Sequence, residues 1–113
     1  SVQDKFLSYL SAGSYILDFG CGSGRDSKYF LEKGYRVDAV DGSEEMCRYA
    51  SEFTGIQVQN MLFQDLDVQN QYDGIWACSS ILHLSKNELY VKLLPICYRK
   101  AWHGDRKSSS VTV

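Results

Sequence analysis

Residues 16–26 read ILDFGCGSGRD: an apolar run, three glycines at alternate positions, then charge. A short apolar stretch that enters a glycine-rich turn and leaves as a polar, helix-forming segment is a strand–loop–helix unit. Glycine alone tolerates the positive φ such turns need, and it lets another molecule approach the main chain closely. Gly20, Gly22 and Gly24 together exceed what a bare turn requires, so the loop reads as a ligand cradle. In open α/β sheets, ligands bind beyond the carboxyl ends of strands where the strand order reverses. The end of this strand is expected to be that place.

The flanking sequence supplies the rest of such a sheet. Val2, Phe6, Tyr9 and Leu10 recur at helical spacing, with Gly13 as the stop, and YILDF (15–19) is the first strand. RDSKYFLEK (25–33) predicts a helix ended by Gly34, and YRVDAVD (35–41) a second strand. Ser43 is placed to cap a third helix, with Glu44 and Glu45 in its first turn where the dipole favours acids. Met46, Tyr49, Ala50 and Phe53 form its expected apolar face, and Gly55 ends it. IQVQNMLF (56–63) and YDGIWAC (72–78) read as third and fourth strands. Ser85 and Glu88 form a capping box for a further helix through Leu89, Leu93 and Ile96, which Pro95 should kink.

This alternation predicts an α/β fold: a doubly wound, Rossmann-like, mostly parallel sheet of strand order 3-2-1-4 with helices on both faces. The tail 100–113 loses helical periodicity after Trp102, and its last six residues are read either as a fifth strand or as a frayed end.

Bulk properties narrow the classes. The 113 residues suffice for one domain, 1–113, and not for two. A net charge of −2 creates no field that would draw nucleic acid or an anionic membrane. No apolar run approaches the ~20 residues of a membrane span, and SVQDKFLSYLSAG lacks the continuous apolar stretch of a signal peptide. The expectation is a cytoplasmic chain. Cys21, Cys47, Cys78 and Cys97 form no CxxC pair, so no metal site is expected and the cysteines are read as reduced and structural.

The ligand's charge follows from the loop. A dinucleotide fingerprint is G-x-G-x-x-G, whereas here the third glycine comes one residue early. Asp18 stands two residues before the loop, where a carboxylate would repel a pyrophosphate and suit an ammonium or sulfonium group. DFGCGSG (18–24) resembles the D/E-x-G-x-G-x-G signature of class I S-adenosylmethionine-dependent methyltransferases. Three further elements fall into that family's order: VDAVDGSEEM, LFQDLD and YDGIWACSSILHL. The resemblance is to the small single-domain branch that includes tellurite-resistance-type enzymes.

The resemblance implies S-adenosylmethionine as cofactor, S-adenosylhomocysteine as product, and no metal. It assigns the cofactor to Asp18, Gly20, Cys21, Gly22 and Gly24 of the loop, and to Asp41, Gly42, Ser43 and Met46 after the second strand. Asp41 would accept from the ribose hydroxyls and Met46 would pack on the adenine. Asp65 would accept from the adenine amino group, the Leu66 amide would face a ring nitrogen, and Cys78 and Ser79 would line the methionine end. His83 is the single candidate for a catalytic side chain, although a lone histidine after a strand is more often structural.

The expected activity is methyl transfer to a small-molecule acceptor. The alternative is a catalytically idle domain that binds S-adenosylmethionine or S-adenosylhomocysteine. ACSS (77–80) stands where base-modifying relatives carry N/D-P-P-Y/F, and Cys78 follows Ala77 rather than a proline, so nucleic-acid modification is disfavoured. The family usually continues from the last helix into a fifth strand, another helix and an antiparallel pair, whereas residues 100–113 offer at most the strand. The domain is therefore expected to be truncated at its C-terminal side. A bare fourth-strand edge around Ile75 and Trp76 would then favour a homo-oligomer.

Overall fold

The computed structural model describes residues 1–62, 65, 72–77 and 111–112. Helix α1 (Val2–Leu7) is followed by β1 (Tyr15–Phe19), α2 (Arg25–Glu32), β2 (Arg36–Asp41), α3 (Glu44–Thr54), β3 (Gln59–Asn60), β4 (Gly74–Ala77) and β5 (Val111–Thr112). All pairings are parallel, in the order β3-β2-β1-β4-β5, so the order reverses beside β1 as expected. No helix among the described residues is long and apolar enough to cross a membrane. The capping box at Ser85, the Pro95 kink and Trp102 lie outside the described residues.

Strand alternation decides which face each helix covers. Ile16, Val37 and Trp76 share a core cluster with Phe6, Leu7 and Phe30 of α1 and α2, and Ala39 joins Cys47 and Ala50 of α3. Val37 and Ala39 are two apart on β2 and so point the same way. All three described helices therefore sit on one face of the sheet. Leu17, Phe19, Val40, Ile75 and Ala77 point the other way and are equally buried, which befits a parallel sheet with both faces covered.

The α1–α2 core is aromatic. Trp76 meets Phe6 edge-on at 5.0 Å between centroids and Phe30 at 5.4 Å. A tryptophan this deep needs a partner for its N–H, and Asp26 provides it: its carboxylate accepts from Trp76 Nε1 at 2.9 Å and from Gln3 Nε2 at 3.0 Å. One side chain of α2 thus ties α1 to β4.

Three expectations change. The third strand shrinks from 56–63 to two residues because α3 takes the preceding backbone donors. Ile56 N–H bonds Thr54 Oγ1 at 3.3 Å and Val58 N–H bonds Ser51 Oγ at 2.9 Å, which removes them from the ladder. The apolar face of α3 is also redrawn. Cys47 and Ala50 are buried, whereas Tyr49 is 58% and Phe53 40% exposed. The two rings stack on each other at 6.3 Å, with Lys28 Nζ 4.4 Å above Phe53. At the close approach of Gly24, α3 presents Ala50 and Thr54 instead of the rings.

The fourth-strand edge is the third correction. Val111 and Thr112 pair with Ile75 and Trp76, and those two are 0% and 8% exposed. The tail supplies the fifth strand, so the surface on which self-association was expected is covered.

Replacing Asp26 by Ala would leave the Trp76 N–H buried without an acceptor, at a loss of about 2 kcal/mol. Urea unfolding should show this loss, and Glu32→Ala, at an exposed position of the same helix, should stay within about 0.5 kcal/mol of the parent.

Candidate cofactor site

The loop between β1 and α2 is folded back onto the end of β2. Gly20 and Cys21 both donate their N–H groups to the Val40 carbonyl, at 2.9 and 3.0 Å. Gly20, Gly22 and Gly24 have φ of +73°, +57° and +86°, so the alternation of glycines in the sequence is an alternation of left-handed backbone. Gly22 and Gly24 need glycine for different reasons. A Cβ on Gly22 would meet nothing within 4 Å among the described residues, so among them the loop backbone is bare on that side. A Cβ on Gly24 would lie 2.8 Å from Thr54 Cγ2 and 3.1 Å from Ala50 Cβ. Gly24 is the close approach of two helices, and Gly22 is the open crest of the loop.

Asp18 lies beneath this crest. It is 1% exposed, and Ser27 on the first turn of α2 donates its hydroxyl to Asp18 Oδ2 at 2.5 Å. Burial pushes its carboxyl up to about 7; the Ser27 hydrogen bond opposes that rise, and the nearby Asp26 and Asp41 carboxylates add to it. Sequence position suggests an anion at the mouth of the loop, whereas the side chain sits under it. Its influence on a ligand in this arrangement is electrostatic and passes through the loop.

Asp41 closes β2 and is half-buried. Its Oδ1 accepts from Gly22 N–H at 3.0 Å and its Oδ2 from Ser43 N–H at 2.9 Å. Its carbonyl accepts from Met61 N–H at 2.9 Å, Asn60 Nδ2 at 3.0 Å and Cys47 Sγ at 3.4 Å. Ser43 caps α3 by accepting from Met46 N–H at 3.2 Å, which sets the half-buried Met46 in the first turns beside it. Leu62, 50% exposed, lies over Gly42, where an added Cβ would come within 3.2 Å of Leu62 Cδ2. Asp65 is exposed and its N–H bonds the Leu62 carbonyl at 3.0 Å.

Asp18, Gly20, Cys21, Gly22, Gly24, Asp41, Gly42, Ser43 and Met46 thus gather around the carboxyl ends of β1 and β2, with Asp65 following β3. Cys21 is half-buried and packs on the cluster that holds Cys47 and Ala50. Leu66, Cys78, Ser79 and His83 lie outside the described residues. Two contributors were not singled out from sequence. Ser27 had a signal: it stands three residues before the buried Phe30, on the same helical face. Asn60 had none, because its role is to reach back across a strand pair.

These residues fit a nucleoside bearing a positive group. The crest offers bare backbone at Gly22, and a carboxylate with spare acceptor capacity adjoins it at Asp41, as a vicinal diol requires. The Asp41 carboxylate at the crest disfavours a diphosphate there. Among the described residues no cluster of His, Cys, Asp or Glu is arranged to hold a metal.

Two sets of variants probe this geometry. Gly24→Ala should lose about 2–3 kcal/mol and Gly22→Ala about 1 kcal/mol in urea melts, since strain at both is joined by a clash only at Gly24. Asp18 has a folded-state pKa above its unfolded value, so the folded protein binds the extra proton and loses stability as pH rises from about 4 to about 7. Asp18→Asn removes that dependence and can still accept from Ser27. Its stability relative to the parent should rise by about 2 kcal/mol between pH 5 and pH 8.

Residues 16–101 match the protein family described as "Methyltransferase domain". YqeM of Bacillus subtilis, named as a methyltransferase, is 33% identical over 79 residues, 65% of this chain and 32% of that one. The chain spans less than half the length of the curated relatives it matches. Among solved structures, a TehB-like SAM-dependent methyltransferase of Corynebacterium glutamicum superposes with a TM-score of 0.70 at 20% identity, covering 84% of this chain and 55% of that one. The 1,6-didemethyltoxoflavin-N1-methyltransferase of Burkholderia thailandensis, solved with 1,6-didemethyltoxoflavin and S-adenosylhomocysteine, gives a TM-score of 0.69 at 25% identity, over 85% and 45% of the two chains. The family match begins inside β1 and takes in the loop, both acidic strand ends and β4, and by it this chain belongs to the class I S-adenosylmethionine-dependent methyltransferases.

Proposed function

We propose that this domain binds S-adenosylmethionine across the carboxyl ends of β1, β2 and β3 and serves methyl transfer to a small-molecule acceptor. The observation that carries the reading is the meeting of the glycine crest with the Asp41 carboxylate at 3.0 Å, at the carboxyl end of β1, the strand beside which the order reverses. In this arrangement Asp41 accepts from the ribose hydroxyls, and Met46 and Leu62 flank the base. Asp65 reads the base edge, and the family resemblance assigns the Leu66 amide, outside the described residues, to the same task. The glycine loop cradles the amino-acid end, whose ammonium group is favoured by Asp18 from below. The family resemblance assigns Cys78 and Ser79 to that end and His83 to the acceptor side, all three outside the described residues.

The bound sulfonium supplies an activated methyl group with a good leaving group. The protein's part is therefore positional: holding the acceptor in a near-attack geometry can supply several kcal/mol. A general base is needed only where the acceptor must lose a proton before it attacks. The small-molecule class is supported by the Burkholderia N1-methyltransferase, whose structure has 1,6-didemethyltoxoflavin and S-adenosylhomocysteine bound. The second reading is a domain that binds the cofactor without transferring its methyl group.

Titration calorimetry should show S-adenosylhomocysteine binding at least about tenfold more tightly than NAD, and Asp65→Ala should weaken it by about tenfold. Tighter binding of NAD would overturn the reading. Methyl release from labelled S-adenosylmethionine, assayed across small thiols, amines and oxyanions, then separates an enzyme from an idle binding domain.

A further inference from the structure

Asp41 has more partners than a ligand-reading residue requires. Each carboxylate oxygen already accepts one main-chain amide, Gly22 on Oδ1 and Ser43 on Oδ2. Gly22 belongs to the loop after β1, and Ser43 is the cap of α3. The Asp41 carbonyl meanwhile takes Met61 N–H, Asn60 Nδ2 and Cys47 Sγ. One residue thus joins the loop, the start of α3 and the chain leaving β3.

We infer that Asp41 is a positioning residue as well as a ligand contact: its carboxylate latches the crest of the glycine loop in the shape the nucleoside needs before that nucleoside arrives. The inference rests on the proposed cofactor site and goes beyond the acceptance of the ribose hydroxyls. Acceptor counting makes the two tasks compatible. A carboxylate has about four lone-pair directions; the two amides use one on each oxygen, which leaves one on each for a vicinal diol. The latch acts on a residue whose backbone is left-handed at +57°, a conformation glycine tolerates, and its amide bond to Asp41 Oδ1 at 3.0 Å ties the crest to the end of β2.

Asparagine at 41 has nearly the same shape but offers one acceptor and one NH2 group, so it cannot accept from both amides. Two readouts separate latch from ligand contact. The first is amide hydrogen exchange of the ligand-free protein. Gly22 and Ser43 should be protected in the parent, and protection at one or both should fall about tenfold or more in Asp41→Asn. Unprotected exchange of Gly22 in the parent would overturn the latch even if the variant failed to fold. The second is binding of S-adenosylhomocysteine beside its 2′,3′-dideoxy analogue. A residue that only reads the diol would leave the affinity for the dideoxy analogue the same in parent and Asp41→Asn, and that result overturns the inference. A loss of about fivefold or more for the dideoxy analogue in the variant supports it. If the parent binds neither nucleoside, the proposed cofactor site falls, and the exchange measurement still judges the latch.

Discussion

The hydrogen bonds between the glycine loop and the end of β2 are what the site depends on. Two amides from Gly20 and Cys21 share the Val40 carbonyl, and a third from Gly22 reaches the neighbouring Asp41 carboxylate. These bonds exist only because β1 and β2 run side by side in parallel register, Phe19 level with Val40. A loop whose only packed side chain is the small Cys21 is held by its own main-chain donors on a strand end. That arrangement leaves its outer surface bare for another molecule while its inner surface is fully bonded.

A second constraint works against the first. Asp18 is buried between strand and helix with one hydroxyl as side-chain partner, and it faces two other carboxylates. Such a group favours neither folding nor compactness at neutral pH. A serine at 27, and not an alkyl residue, answers this need, since it gives the buried carboxyl a donor at 2.5 Å. Groups raised toward neutrality by burial gather at functional sites, where stability is exchanged for chemistry. The local strain here is electrostatic and is held by the packing of Phe6, Phe30 and Trp76 a few residues away.

Much of this was legible in the chain. Strand β1, the cap at Ser43, the stop at Gly55 and the strand order follow from short-range rules: apolar runs, capping side chains, glycine at helix ends and right-handed crossovers. The failures were tertiary. Tyr49 and Phe53 satisfy helical periodicity yet are 58% and 40% exposed, while Cys47 and Ala50 of the same helix are buried and Ala50 lies against Gly24. The short β3 reflects a competition between ladder and side-chain acceptors on α3 that no local pattern reveals. In the site, the glycines and Asp41 announced themselves by spacing. The depth of Asp18 did not, because the sequence shows that it precedes the loop and not which side of the loop it lies on.

The first turn of α2 carries a further consequence. Asp26 reaches to Gln3 of α1 and Trp76 of β4, while its neighbour Ser27 reaches to Asp18 of β1. Successive helical residues point about 100° apart, so the two bonds can form together in only one rotational setting of the helix. The number of residues between Phe19 and Arg25 is thereby locked. An insertion or deletion there cannot be absorbed by sliding the helix along its axis, because each one-residue slip would turn both side chains away from their partners at once. Length, as much as glycine content, is the quantity this connection cannot vary.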